Sequence, residues 1–183
     1  MKTVPAGKTN IVLIGMPGAG KSTVGVILAK LTARAFLDTD LLIQTAEGRS
    51  LQNIIDSEGY LVLRKIEEEI LLGLTCEEHI IATGGSAVHS QPAMEHLRAN
   101  GVIVFLDVEL PLLESRVADF GTRGIAKRPD QSLADLFAER HALYVRYADL
   151  VVTCRGRTQE MVCTAIIEAL SPLLSIGRAS SRG

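Results

Sequence analysis

Eight residues near the amino end carry the clearest chemistry in the chain. Gly15-Met16-Pro17-Gly18-Ala19-Gly20-Lys21-Ser22 fits G-x-x-x-x-G-K-[ST]. Its glycines let the backbone turn inward so that successive N–H groups face phosphate oxygens, with the positive end of the next helix behind them. Lys21 would neutralise the outer phosphates, and the Ser22 hydroxyl would ligate Mg²⁺. Thr23 follows in the same turn and joins Gly15, Gly18, Ala19, Gly20, Lys21 and Ser22 as a candidate ATP-binding residue. Lys21 is expected to be exposed and mobile. The motif indicates a nucleoside triphosphate and leaves the fate of its phosphoryl open. No N-K-x-D is present to read guanine, and the chain is too short for a large motor ATPase. A small-molecule acceptor is the remaining expectation.

Four further segments could form the acceptor side. Asp38-Thr39-Asp40 closes an apolar run, and on a strand residues two apart share a face, so both carboxylates would face the phosphate loop. One could hold the Mg²⁺ shell and the other an acceptor hydroxyl; alternatively the pair caps a following helix. Arg64 lies on a helical stretch with Glu67 and Glu68 one turn on, where an ion pair would fix the guanidinium as a carboxylate clamp. Ala82-Thr83-Gly84-Gly85-Ser86 follows another apolar run, and its glycines allow close approach of a ligand to the backbone. Between Asp119 and Ser132 stand Gly121, Arg123, Gly124, Lys127 and Arg128, a polar segment that could close over ATP. Arg140 on the next helical stretch is a second candidate clamp.

Those segments need a scaffold. The chain has 183 residues, 47% of them hydrophobic, enough for one substantial core and too few for two ordinary domains. Strand-length apolar runs at 11–14, 35–37, 80–82, 102–106 and 150–152 alternate with stretches of helical period, the pattern of βαβ units around a parallel sheet. Helices are expected to begin near Lys21, Leu51, Tyr60, Pro92, Leu110, Leu133 and Thr158. The strands are almost wholly apolar, as strands covered on both faces must be. One domain over residues 1–176 is expected, with a lid at about 119–131 and a disordered tail at 177–183.

A net charge of −2 without a basic run argues against nucleic acid. No apolar stretch reaches membrane-spanning length, and residues 1–10 do not read as a signal peptide. Cys76, Cys154 and Cys163 form neither a CxxC pair nor a Cys/His cluster, and read as reduced thiols of a cytoplasmic protein.

In their order, GMPGAGKSTVG, LDTD, a glycine-led helix with R-x-x-E, ATGG, a basic lid and E-R-x-x-L-Y resemble the motif set of the shikimate kinase family over roughly residues 10–170. The resemblance implies a three-layer α/β/α P-loop kinase fold like that of the nucleoside monophosphate kinases, with a five-stranded parallel sheet, working as a monomer. It implies ATP and Mg²⁺ as cofactors and transfer of the γ-phosphoryl to a ring hydroxyl of shikimate, giving shikimate 3-phosphate. It also implies that Asp38 stands on the Mg²⁺ side, that Asp40 grips acceptor hydroxyls and serves catalysis with Lys21, and that Arg64, Arg140, Gly84 and Gly85 bind the acceptor. Of the two lid arginines, Arg123 lies nearer the family's separation from Arg140 and is the expected catalytic, ATP-binding one. The chain departs from the pattern at Ser86, where the family has a third glycine, at Tyr60 and Leu63, and in the lid, which lacks R-P-L-L. A kinase for another small polyol acid such as gluconate is the nearest alternative; a nucleotide-dependent regulatory module without an acceptor is another.

Overall fold

The computed structural model describes residues 8–116 and 124–176. Five strands, β1 (Asn10–Ile14), β2 (Ala35–Asp38), β3 (His79–Ala82), β4 (Gly101–Asp107) and β5 (Leu150–Thr153), form one sheet in the order β2-β3-β1-β4-β5. Every pairing is parallel. All five expected strands are present, each within about a residue of the expected bounds. β1 lies at the centre, and all five of its residues are buried. β2 and β5 are the edges and are partly exposed, so coverage of both faces, expected of all five strands, holds for the middle of the sheet only.

Among the described residues eight helices join or follow the strands: α1 (Lys21–Thr32), α2 (Thr39–Glu47), α3 (Leu51–Glu58), α4 (Tyr60–Leu72), α5 (Gln91–Asn100), α6 (Leu110–Arg116), α7 (Leu133–Tyr147) and α8 (Gln159–Ile176), with one 3₁₀ turn at Ala87–His89. The order of the sheet explains their placement. The chain leaves β1 in one direction for β2 and makes every later crossover in the other, and because such crossovers are right-handed this puts α1 on the face opposite α2 to α7. α8 returns to pack on α1. The reversal at β1 opens a crevice at the carboxyl ends of the strands, where ligands of open α/β sheets bind. The phosphate loop leaves β1 there.

The main core gathers around β1, β3 and β4. A second, small apolar cluster of Ile43, Ile54, Leu63 and Ala126 joins α2, α3, α4 and the segment before α7 into a separate wall beside the crevice. Among the described residues no helix is long and apolar enough to cross a membrane.

Candidate active site

The phosphate loop is built from backbone. Gly20 caps α1 at φ 90° with no side-chain bond to the helix's first amides, a conformation that glycine adopts without strain and that leaves those N–H groups to a ligand. Gly15 is as constrained from outside, since a Cβ there would lie 2.9 Å from the Leu106 carbonyl oxygen. Lys21 is not the exposed residue expected from sequence. It is buried, and its Nζ donates to the carbonyls of Gly15 at 2.8 Å and Met16 at 3.0 Å. Burial lowers its pKa to about 8, against the pull of Asp40. The ammonium is thus held by weak carbonyl acceptors inside its own loop, and phosphate oxygens would be far better ones.

The aspartates come together by a route the strand argument did not foresee. Asp38 ends β2 and is the N-cap of α2, its Oδ1 accepting from the Asp40 amide at 3.0 Å, so Asp40 stands in the first turn of a helix rather than on a strand. Capping and site roles are therefore not alternatives. The other oxygen, Asp38 Oδ2, accepts from Ser22 Oγ at 2.6 Å, pairing two oxygen ligands of the kind Mg²⁺ prefers beside the phosphate loop. Asp40 is half-buried, and its desolvation raises its pKa, opposed by Lys21 and helped by Asp38.

Between phosphate loop and helical wall lies a cavity of about 300 Å³ lined by Lys21, Asp40, Glu67, Gly84, Gly85 and Ser86 among others. The glycines are there for space: a Cβ on Gly84 would collide with Glu67 Oε1 and lie 2.7 Å from Asp40 Oδ1, and one on Gly85 would lie 2.9 Å from Arg140 Nη1. The Gly84 amide donates to Thr39 Oγ1 at 3.0 Å, and the Gly85 carbonyl accepts from Tyr144 Oη at 2.7 Å. Glu67, with 3% exposure, was expected as the ion-pair partner of Arg64. It accepts instead from the Ser86 hydroxyl, while its Oε1 has no partner among the described residues. Burial raises the Glu67 pKa to about 7, with the Ser86 hydrogen bond opposing the shift and Asp40 adding to it.

The arginines are placed differently from the expectation as well. Arg64 pairs with Glu139 of α7 at 3.8 Å rather than with a glutamate of its own helix, and its Cζ lies 5.2 Å from the centre of the Tyr60 ring. Arg140 is 1% exposed. Both turn an Nη2 onto one acceptor, the Ala126 carbonyl, at 3.3 Å from Arg64 and 2.6 Å from Arg140. Two guanidiniums on a neutral oxygen form a site that an anion would fill better, and neither Nε has a partner among the described residues. Arg123 and Gly121 lie outside the described residues. Gly124 is anchored to the start of α3, its amide donating to Gln52 Oε1 at 2.9 Å. Arg128, the other lid candidate, is exposed and reaches Glu139 at 3.4 Å. Ser86, Glu139, His89, Tyr144 and Ala126 are the site residues that sequence reading left without a role. Glu139 and Tyr144 stood within the quoted E-R-x-x-L-Y and Ser86 at the end of the quoted glycine loop, whereas His89 and Ala126 belonged to no quoted motif.

Comparison with known proteins agrees with this arrangement. The family model described as shikimate kinase matches residues 17–171. The shikimate kinase of Pseudomonas aeruginosa is 37% identical over 167 residues, covering 90% of this chain and 97% of that one; that of Rippkaea orientalis is 36% identical over 168 residues, covering 90% and 89%. Among solved structures, shikimate kinase from Acinetobacter baumannii in complex with shikimate superposes with a TM-score of 0.81 at 32% identity, over 90% of this chain and 94% of that one. The Aquifex aeolicus shikimate kinase gives 0.76 at 33%, over 88% and 96%. An APS kinase of Mycobacterium tuberculosis, at 0.56 and 18%, shares the fold alone. With a family model spanning most of its length and relatives above one-third identity over nearly all of it, the chain belongs to the shikimate kinase family.

Proposed function

We propose that this chain transfers the γ-phosphoryl of ATP to a ring hydroxyl of shikimate, forming shikimate 3-phosphate. The observation that carries the reading is the cavity in which two carboxylates, the half-buried Asp40 and the buried Glu67, face the phosphate loop beside two arginines that share a single neutral acceptor. Such a cavity suits a small acid with several hydroxyls. Gluconate would satisfy the arginines as well, but the relatives that match over nearly the whole chain are shikimate kinases. A regulatory module without an acceptor would leave these buried charges without a purpose.

In this reading Asp40 orients the hydroxyl and accepts its proton late, as the oxygen closes on the γ-phosphorus and the bond to the leaving ADP oxygen lengthens. Its raised pKa makes it a better base than an ordinary aspartate. Lys21 exchanges its loop carbonyls for the phosphate oxygens, and Arg123 adds charge from the lid. Little covalent chemistry is asked of the protein, because the transition state is loose and positioning with charge neutralisation does most of the work. Ser22 and Asp38 would hold Mg²⁺, which when bound neutralises the phosphates. Gly15, Gly18, Ala19, Gly20 and Thr23 complete the ATP cradle, and Gly84 and Gly85 with Arg64 and Arg140 the acceptor site. The working unit in this reading is a monomeric cytoplasmic domain over residues 1–176, in keeping with free cysteines at 76, 154 and 163. ADP release measured with shikimate, quinate, gluconate and nucleoside monophosphates in parallel tests it. Shikimate should give the highest kcat/KM, and release no faster with shikimate than without an acceptor would remove the proposal.

A further inference from the structure

Arg64 is held by neighbours that the acceptor reading does not use. Its Nη2 lies 3.2 Å from His89 Nε2, on the 3₁₀ turn that follows the glycine loop. A guanidinium has hydrogens to give and no lone pair to offer, so the His89 nitrogen facing it must be the unprotonated one, with the proton on Nδ1. That same Nε2 lies 3.4 Å from Glu139 Oε1, a contact that would favour the opposite assignment. The surroundings decide between them. Glu139 is already engaged through Oε2 by Gln131 at 2.6 Å and Arg128 at 3.4 Å, whereas His89 is faced by the cations Arg64 and Arg140. Burial first, then those two arginines, lower the His89 pKa to about 4, with Glu139 opposing. Lys65, Glu67 and Glu68 line the same cleft of about 280 Å³.

We propose that His89 is a positioning residue for the acceptor site: its bare Nε2 accepts from Arg64 Nη2 and, together with Glu139 and the Tyr60 ring, fixes the guanidinium in the direction from which it receives the acceptor's carboxylate. Arg64 has a long side chain, and left to itself it would lose rotamer freedom each time it engaged an acid. His89 removes part of that loss beforehand, so its effect falls on acceptor binding and not on the chemical step. The argument rests on the acceptor role of Arg64 given above.

Steady-state kinetics of the full chain with MgATP and shikimate test it. His89→Ala should raise the shikimate KM about tenfold, the scale of one hydrogen bond to a charged group, with kcat and the ATP KM within about twofold of the parent. His89→Gln, whose Oε1 can accept at similar reach, should restore most of the loss. His89→Lys, which sets a cation against Arg64, should be no better than alanine. Nitrogen-15 NMR of the imidazole should show Nδ1 protonated and Nε2 bare at neutral pH. An unchanged shikimate KM in His89→Ala, equal rises for both substrates, a glutamine variant as weak as alanine, or a proton on Nε2 would each overturn the assignment. Should His89→Ala melt too low to assay, the contrast between glutamine and lysine decides alone. Arg64→Ala run in parallel separates the two readings: if it raises the shikimate KM while His89→Ala does not, only the role of His89 falls, and if neither does, the acceptor reading itself is wrong.

Discussion

The two halves of the proposed site, one for nucleotide and one for acceptor, are assembled in opposite ways. On the nucleotide side one stretch of chain, residues 15–22, presents backbone amides, and half of its side chains are a hydrogen or a methyl. On the acceptor side α2 contributes Asp40, α4 contributes Arg64 and Glu67, the loop after β3 contributes two glycines and Ser86, and α7 contributes Arg140, with Ala126 closing from the lid end. The first half is continuous in sequence between β1 and α1, touching the rest of the fold where Gly15 meets Leu106 and Ser22 meets Asp38. The second exists only when the chain is folded, because its members are dozens of residues apart and the strand ends of one sheet bring them together. Phosphate binding is therefore expected to survive changes in the wall that abolish acceptor discrimination.

Lys21→Ala strikes the local half and should have the largest effect, lowering turnover by about 10³-fold, as loss of a major charge-stabilising group does. Lys21 is buried, so circular dichroism must accompany the assay. A folded variant of full activity would end the phosphate-loop reading.

Arg123→Ala comes next, with turnover slowed about 10²-fold if that residue reaches the phosphoryl only when the lid is closed. Arg128→Ala should be mild, since Arg128 is exposed and its contact is with Glu139. The reverse result would shift the register of the lid and leave the acceptor wall as described.

Arg64→Ala strikes the assembled half. Losing a charged hydrogen bond costs about 1.5–3 kcal/mol, so the acceptor KM should rise by at least about tenfold while the ATP KM stays put. Equal changes in both would mean that the two halves are not separable in the way their construction suggests.

That contrast also governs how much could be read in advance. Residues 15–22 announce themselves because their function is local and made of backbone, and the sheet because buried parallel strands must be short apolar runs. α2 was not among the expected helices for a related reason: Asp38-Thr39-Asp40 closes an apolar run and so looks like more strand, and the helix cap that Asp38 forms stood only as the alternative. Arg64 was singled out but wrongly partnered. Glutamates one turn away are the partners a helix offers, yet Glu139 reaches it across 75 positions of chain, counting 139 − 64. Ser86 hid in the same way, for nothing near it in sequence says that its hydroxyl will meet Glu67.

Ser86 and Glu67 support the smallest effect, one that concerns the cost of building the assembled half. The Glu67 pKa rises from 4.5 to about 7 on folding, mainly through burial. Between those values the folded chain binds the proton more tightly than the unfolded chain does. The stability this contributes is therefore fully present below about pH 4.5 and is lost as pH climbs through about 7. Glu67→Gln removes the titration while keeping an oxygen that can accept from Ser86. Groups common to both chains largely cancel in the difference between their melting temperatures, and Lys21, whose lowered pKa is about 8, is avoided by stopping near that pH. Relative to the parent, Glu67→Gln should thus gain in Tm between pH 5 and pH 7.5, by about 2–4 °C for each kcal/mol in a chain of this size. A constant difference across that range would mean that Glu67 keeps its charge on folding, and that an ion partner, rather than the Ser86 hydroxyl, holds it in the wall.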